Sequence, residues 1–354
     1  MDEAELMQWL VEAGGPVVRY RTATELLDGP ADLDVAGMRA EVLRRPKVAL
    51  WLRRLERRGS VGDLHSSQPT AFENAMGKLH ELGLRAGMPE LDERTEPFRE
   101  WLAEKVDGPA EGLGGFYVRL VAGALARAGY TDDAVQRSLE ETLGRLYGSA
   151  RQGSCDIWLS PEECTGLPKS CRGKPIIRPE FTFDGRTPLP LIHDMYGLSG
   201  LLACGPDAPM KRKISAVVGY ILRPEYQRLP DGYGYLLDAR KRQLWAHGWG
   251  VGLPGHQGFE FGSEASRFVQ RLELMAHFPR AVKSAWFGDC LQHLEQSRLE
   301  DGSYHLPGGY LEDRASGYYV AGAYMGMEEN RRERQAQNVE STFRVLLIKR
   351  LASG

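Results

Sequence analysis

Cysteine is scarce in this chain: five among 354 residues, an odd number too small for a disulfide framework at this length. Long apolar runs are missing as well. A spanning helix needs roughly 18–20 apolar residues, and the nearest candidate, residues 118–128, is interrupted by Arg119 and Arg127. The opening MDEAELMQWL is acidic and has no basic stretch ahead of an apolar core, so it does not read as a secretory signal. No integral membrane segment and a cytoplasmic location are therefore expected. Basic charge is not in excess: 45 Lys and Arg face 48 Asp and Glu, for a net charge of −3. Two short basic runs, Arg53, Arg54, Arg57 and Arg58, then Lys211, Arg212 and Lys213, read as solvated helix faces, and no nucleic-acid partner is expected. Phosphate-cradling and nucleophile-elbow motifs are absent too. Gly250, Gly252 and Gly255 match a bare G-x-G-x-x-G, but Pro254 sits inside it and no strand-to-helix unit surrounds it. No cofactor is expected.

What is present is the composition of a folded protein, 42% apolar and 26% charged. Apolar residues recur at helical spacing in successive segments of roughly 10–16 residues. Leu6, Trp9 and Leu10 mark the first, and Val35, Met38, Val42 and Leu43 a later one that Asp34 precedes. Pro46 suits a first helical turn, where its missing N–H costs nothing. Further helices are expected over residues 70–84, 95–105, 116–129, from Thr131-Asp132 to Leu146, 189–204, 213–222, 263–276, 280–295 and 339–352. An amphipathic helix cannot bury its face alone, so paired stacking is expected. The pattern predicts an all-α protein, an alpha/alpha toroid or a stacked helical-hairpin array, in one domain over residues 1–354. Irregular Gly- and Tyr-rich insertions break it. Residues 148–190 and 229–262 are long excursions, the second with room for a short strand near Leu244 and Trp245, and residues 301–325 are a third.

Two segments carry a more specific pattern: LERRGSVGDLHSSQPTAFENAMGKLHELGL at 55–84, and LQHLEQSRLEDGSYHLP at 291–307, in which Gln296 is followed by Asp301-Gly302-Ser303-Tyr304. Both resemble the turn-and-helix repeats of the terpenoid-cyclase and protein-prenyltransferase alpha/alpha toroids, with tyrosine in the usual tryptophan position. The segment from Glu340 to Leu346 resembles the closing helix of such repeats. The resemblance implies a central cavity and a partner that is an isoprenoid or another hydrophobic small molecule. The chain departs from these families where their chemistry lies. It has no D-x-D-D acid motif. Asp289 and Cys290 are adjacent, not separated by one residue as in the zinc transferases, with His293 one turn further on.

Candidate chemistry follows from residue types. His193-Asp194, at the start of an apolar helix, pairs an imidazole with a carboxylate able to orient it; a helix cap with a packed histidine is the other reading. Asp289 is a second candidate for proton transfer or cation stabilisation. Tyr233, Tyr235, His247, Trp249 and Tyr304 are candidate ligand-binding residues, their rings offering apolar surface with polar tips. Tyr310, Tyr318, Tyr319 and Tyr324, with Glu312 and Asp313, read either as a cavity rim or as a seal on a helical end. Cys155, Cys164 and Cys171 lack the short C-x-x-C pairs of a zinc site, and no metal is assigned. Two functions stand open: a divergent enzyme acting on a hydrophobic small molecule, and a non-catalytic ligand-binding or protein-interaction scaffold. Nothing in the sequence specifies an oligomeric state.

Overall fold

A computed structural model describes residues 1–27, 33–55, 63–108, 114–181, 188–238 and 243–354. The basic residues Arg57 and Arg58 lie outside them. The protein is mainly helical, built from paired, stacked helices as expected, and none of its described helices is long and apolar enough to cross a membrane. The chain forms two compact units: Met1–Glu96 with Pro254–Gly354, and Pro97–Leu253.

In the first unit, the helix Glu3–Ala13 starts on a capping box. The Asp2 carboxylate accepts the Glu5 N–H, and the Glu5 side chain accepts that of Asp2. Pro16 occupies the first turn of the next helix, Pro16–Arg21, which widens into a π turn over Thr22–Leu26. Val35–Leu43 begins at Asp34, whose carboxylate accepts the Gly37 N–H, and Pro46–Arg54 has its proline in the first turn. The helix Phe72–Glu81 packs on Pro46–Arg54, and Ala265–Ala276 packs on Arg334–Ser353. The segment expected as one helix over 280–295 is two, Pro279–Val282 and Ala285–Glu295, because the Ser284 side chain accepts the Phe287 N–H and starts a new helix there.

The core of this unit holds paired charges as well as apolar side chains. Arg344 is fully buried and donates to Glu81 at 2.7 Å and to Glu273. Arg21 reaches Glu81 at 3.3 Å and Glu25 at 2.7 Å, and the Tyr319 hydroxyl donates to the other Glu81 oxygen at 2.6 Å. Burial alone would lower the Arg344 pKa; Glu273 and Glu81 outweigh it and hold it raised. Lys78, also fully buried, donates to Asp313 at 2.7 Å and to the carbonyls of Tyr324 and Gly326. Burial first and the neighbouring Lys47 second bring its pKa down to about 8. These bonds fasten the irregular segment around residues 304–331 to the helices. Glycine at 77 is needed for that, since a Cβ there would lie 2.1 Å from the Tyr319 ring.

In the second unit, the helix Gly114–Arg127 lies against Ile192–Ala203 and Asp133–Gln152, and Asp133–Gln152 against Ala208–Ile221. Small residues let the first pair approach closely. A Cβ on Gly123 would meet the His193 carbonyl oxygen at 2.3 Å, and one on Gly200 would meet that of Ala126 at 2.4 Å. The expected short strand is half of a two-stranded antiparallel ribbon, Gly234–Asp238 with Gln243–His247, in register Gly234 to His247. The helix expected from residue 95 runs over Pro89–Lys105 and includes Pro97.

Candidate functional site

Among the residues singled out by sequence, the second unit brings His193 against Trp249 and Tyr233 against His247. His193 and Asp194 open the helix Ile192–Ala203 and are both buried. The His193 ring meets Phe116 edge-on at 5.4 Å and Trp249 edge-on at 6.3 Å. Trp249 is the one non-glycine residue with positive φ among those described, at 67°. The chain is pinned on either side of its peptide: the Trp249 carbonyl accepts the Ile192 N–H at 2.9 Å, and the Gly250 N–H donates to Asp231 at 2.8 Å. A bulky residue held in the left-handed region stores strain, a feature that gathers at binding and catalytic sites. His247 ends the ribbon and stacks on Tyr233 at 5.7 Å. Burial first and Arg119 second push its pKa down to about 3, so the imidazole is neutral, and its buried Nε2 meets no hydrogen-bond partner among the described residues. Tyr233 donates to the Pro190 carbonyl at 2.6 Å and shares a short hydrogen bond with the Tyr226 hydroxyl, which accepts the Val251 N–H at 3.1 Å.

Asp194 does not serve His193. One of its oxygens accepts from Arg119 Nε at 2.8 Å; the other accepts from Arg119 Nη2 and from the Leu191 N–H at 2.7 Å. The carboxylate thus caps the helix and neutralises a buried guanidinium. The same-helix neighbours His193 and Asp194 are adjacent without forming an acid–base pair. Tyr235 is half-buried beneath the Lys174 ammonium at 5.1 Å, its N–H donated to Pro175.

Two nominated residues belong to the first unit. Asp289 is exposed, whereas Cys290 is buried with its thiol pKa raised by burial and then by Asp289, and His293 Nε2 lies 2.8 Å from the Tyr310 hydroxyl in a cluster with Phe259, Phe261 and Phe268. Asp289, Cys290 and His293 form no ligand group among the described residues, and neither do Cys155, Cys164 and Cys171. Tyr304 is buried; its hydroxyl donates to Glu295 at 3.0 Å and accepts from Lys349 at 2.9 Å, which ties two helices together.

The first unit also holds a pair that periodicity did not single out. His65 Nδ1 lies 2.6 Å from Glu73 Oε1, with Glu73 only 3% exposed and His65 partly open. The Tyr318 ring stacks on the imidazole at 5.0 Å. Asn74, next to Glu73 and fully buried, fixes the surroundings. Its amide donates to the carbonyls of Ser66 and Gln68, both at 2.8 Å, and its oxygen accepts the Tyr319 N–H at 2.7 Å. The Gly317 N–H donates to Ser67 at 2.8 Å. One buried amide therefore holds both the His65 loop and the Tyr318 backbone in place. The contact of Glu73 with His65 has the distance of an ion pair but does not meet the angles of a hydrogen bond; an imidazole set beside a carboxylate is a candidate for proton transfer.

Comparisons of the chain with family models, curated proteins and solved structures gave no match.

Proposed function

We propose that this chain is a divergent enzyme acting on an isoprenoid or other hydrophobic small molecule, with His65 as the group that transfers a proton and Glu73 as the carboxylate that orients it. The observation that carries this reading is the 2.6 Å contact of a buried Glu73 with His65 Nδ1 beneath a stacked Tyr318. Proton transfer by a positioned imidazole contributes typically 10²–10⁴-fold to a rate. The helical-repeat packing and the segments at 55–84 and 291–307 support a relationship to the terpenoid-cyclase and prenyltransferase toroids. Five free thiols support a cytoplasmic setting.

The test is turnover of a panel of isoprenoid alcohols and their diphosphates, followed by mass spectrometry. The wild-type chain is expected to convert at least one, and His65→Gln to lose about 10²-fold or more of that rate. Full turnover by His65→Gln would overturn the assignment. The scaffold reading is favoured by a different observation: Asp194 is consumed by Arg119 and Leu191, so the second unit presents aromatic rings and a neutral His247 without an acid–base pair. Binding of a panel member with no product formed would favour it.

A further inference from the structure

The first unit contains a pocket of about 230 Å³ that has no part in the reading above. Its floor is apolar and buried: Val17, Val48, Leu82 and Met327. Its rim is charged, with Arg45, Lys47, Glu328 and Glu329. The two cations are already engaged. Arg45 Nε donates to Glu329 at 2.7 Å, and Lys47 lies 2.9 Å from Asp313. Glu328 is the carboxylate left over. Among the described residues its carboxylate accepts from the Gly15 N–H at 2.8 Å and forms no ion pair, Lys47 reaching only the Glu328 backbone carbonyl, at 3.4 Å. The site is shaped for that approach, since a Cβ on Gly15 would lie 2.3 Å from Glu328 Oε2.

We propose that this pocket binds a small apolar molecule carrying an ammonium group, with Glu328 as its counter-ion and Val17, Val48, Leu82 and Met327 around its hydrocarbon part. A half-buried carboxylate with no direct ion pair is costly, Lys47 and Arg45 acting on it only from longer range, and a ligand ammonium supplies the direct contact where the apolar floor also takes up a short chain. The state of Glu328 agrees: burial first, with Glu340 and Glu329, raises its pKa against the lowering by the Gly15 N–H and Lys47, and a bound cation would lower it further.

The experiment is titration of the full chain with n-hexylamine, n-hexanol and hexanoate, read by calorimetry and by near-ultraviolet circular dichroism. Hexylamine is expected to bind at least about tenfold more tightly than hexanol, with hexanoate weakest. Glu328→Gln keeps an oxygen for the Gly15 N–H, so the fold is retained, and it should remove the preference for the amine over the alcohol. Stronger binding of hexanoate than of hexylamine would overturn the proposal, as would no binding of any of the three, or an unchanged amine preference in Glu328→Gln. Should that variant fail to fold, the order of the three ligands on the wild-type chain decides alone.

Discussion

Replacing Arg344 with methionine should cripple the first unit. The guanidinium is fully buried between Glu81 and Glu273, and Glu81 carries Arg21 and the Tyr319 hydroxyl as well. Methionine fills much of the same volume but leaves Glu273 and part of Glu81 charged in a core that excludes water. Removing one partner of a buried ion pair costs about 3–5 kcal/mol, a large share of the roughly 5–15 kcal/mol that holds a typical protein folded. For a unit of this size about 2–4 °C is lost per kcal/mol, so the melting temperature should fall by about 6–20 °C. Urea titration with fluorescence and circular dichroism measures the loss. Glu273→Gln added to Arg344→Met should recover part of the stability, because it removes a charge that Arg344 offsets. A loss below about 1 kcal/mol in the single variant, a range typical of exposed ion pairs, would refute the reasoning.

Arg119→Met should cost the second unit about 3–5 kcal/mol by stranding the buried Asp194, and adding Asp194→Asn should restore part of it; purely additive losses in urea titrations would contradict the pairing. Gly123→Ala should cost about 1–3 kcal/mol, because the new methyl meets the His193 carbonyl at 2.3 Å, and an unchanged urea midpoint would argue against the close helix approach. His247 has a folded pKa of about 3, against 6.5 when unfolded, so the unfolded state binds the proton first as pH falls. Stability of the second unit should be highest above pH 6.5 from this group and decline between 6.5 and 3, by at most about 1.4 kcal/mol per pH unit. His247→Phe should flatten that decline, and an identical pH profile would rule out the buried neutral imidazole.

The helices were legible because their apolar faces recur at regular spacing, and the failures have local causes. Glu90, Asp92, Glu93 and Arg94 leave little apolar spacing in the first turns of Pro89–Lys105, so the expected helix began only at residue 95. The polar run at 334–338 hid the first turn of Arg334–Ser353. Ser284 caps a second helix within a stretch whose hydrophobicity alone looks continuous. Tyr233, His247 and Trp249 stood out in the sequence as aromatic candidates, whereas the contact of His193 with Trp249 had no signal in it. Arg119, which decides what Asp194 does, figured only as an interruption of an apolar run. Apolar periodicity passes over paired charges: Glu81, Glu273 and Arg344 occupy buried faces that hydrophobicity would assign to leucine. His65 sits in a polar loop eight positions before its carboxylate, where the spacing carries no signal; the contact exists because Asn74 gathers the loop around itself.

Selective ¹⁵N labelling of histidine, with nuclear magnetic resonance of the ring nitrogens, tests most directly whether Glu73 governs His65. The proposed role predicts that, wherever the ring holds a single proton, it sits on Nδ1, the nitrogen 2.6 Å from Glu73 Oε1, with that preference weakened in Glu73→Gln. A ring protonated at Nε2, or one whose tautomer is indifferent to the Glu73→Gln change, would contradict the account.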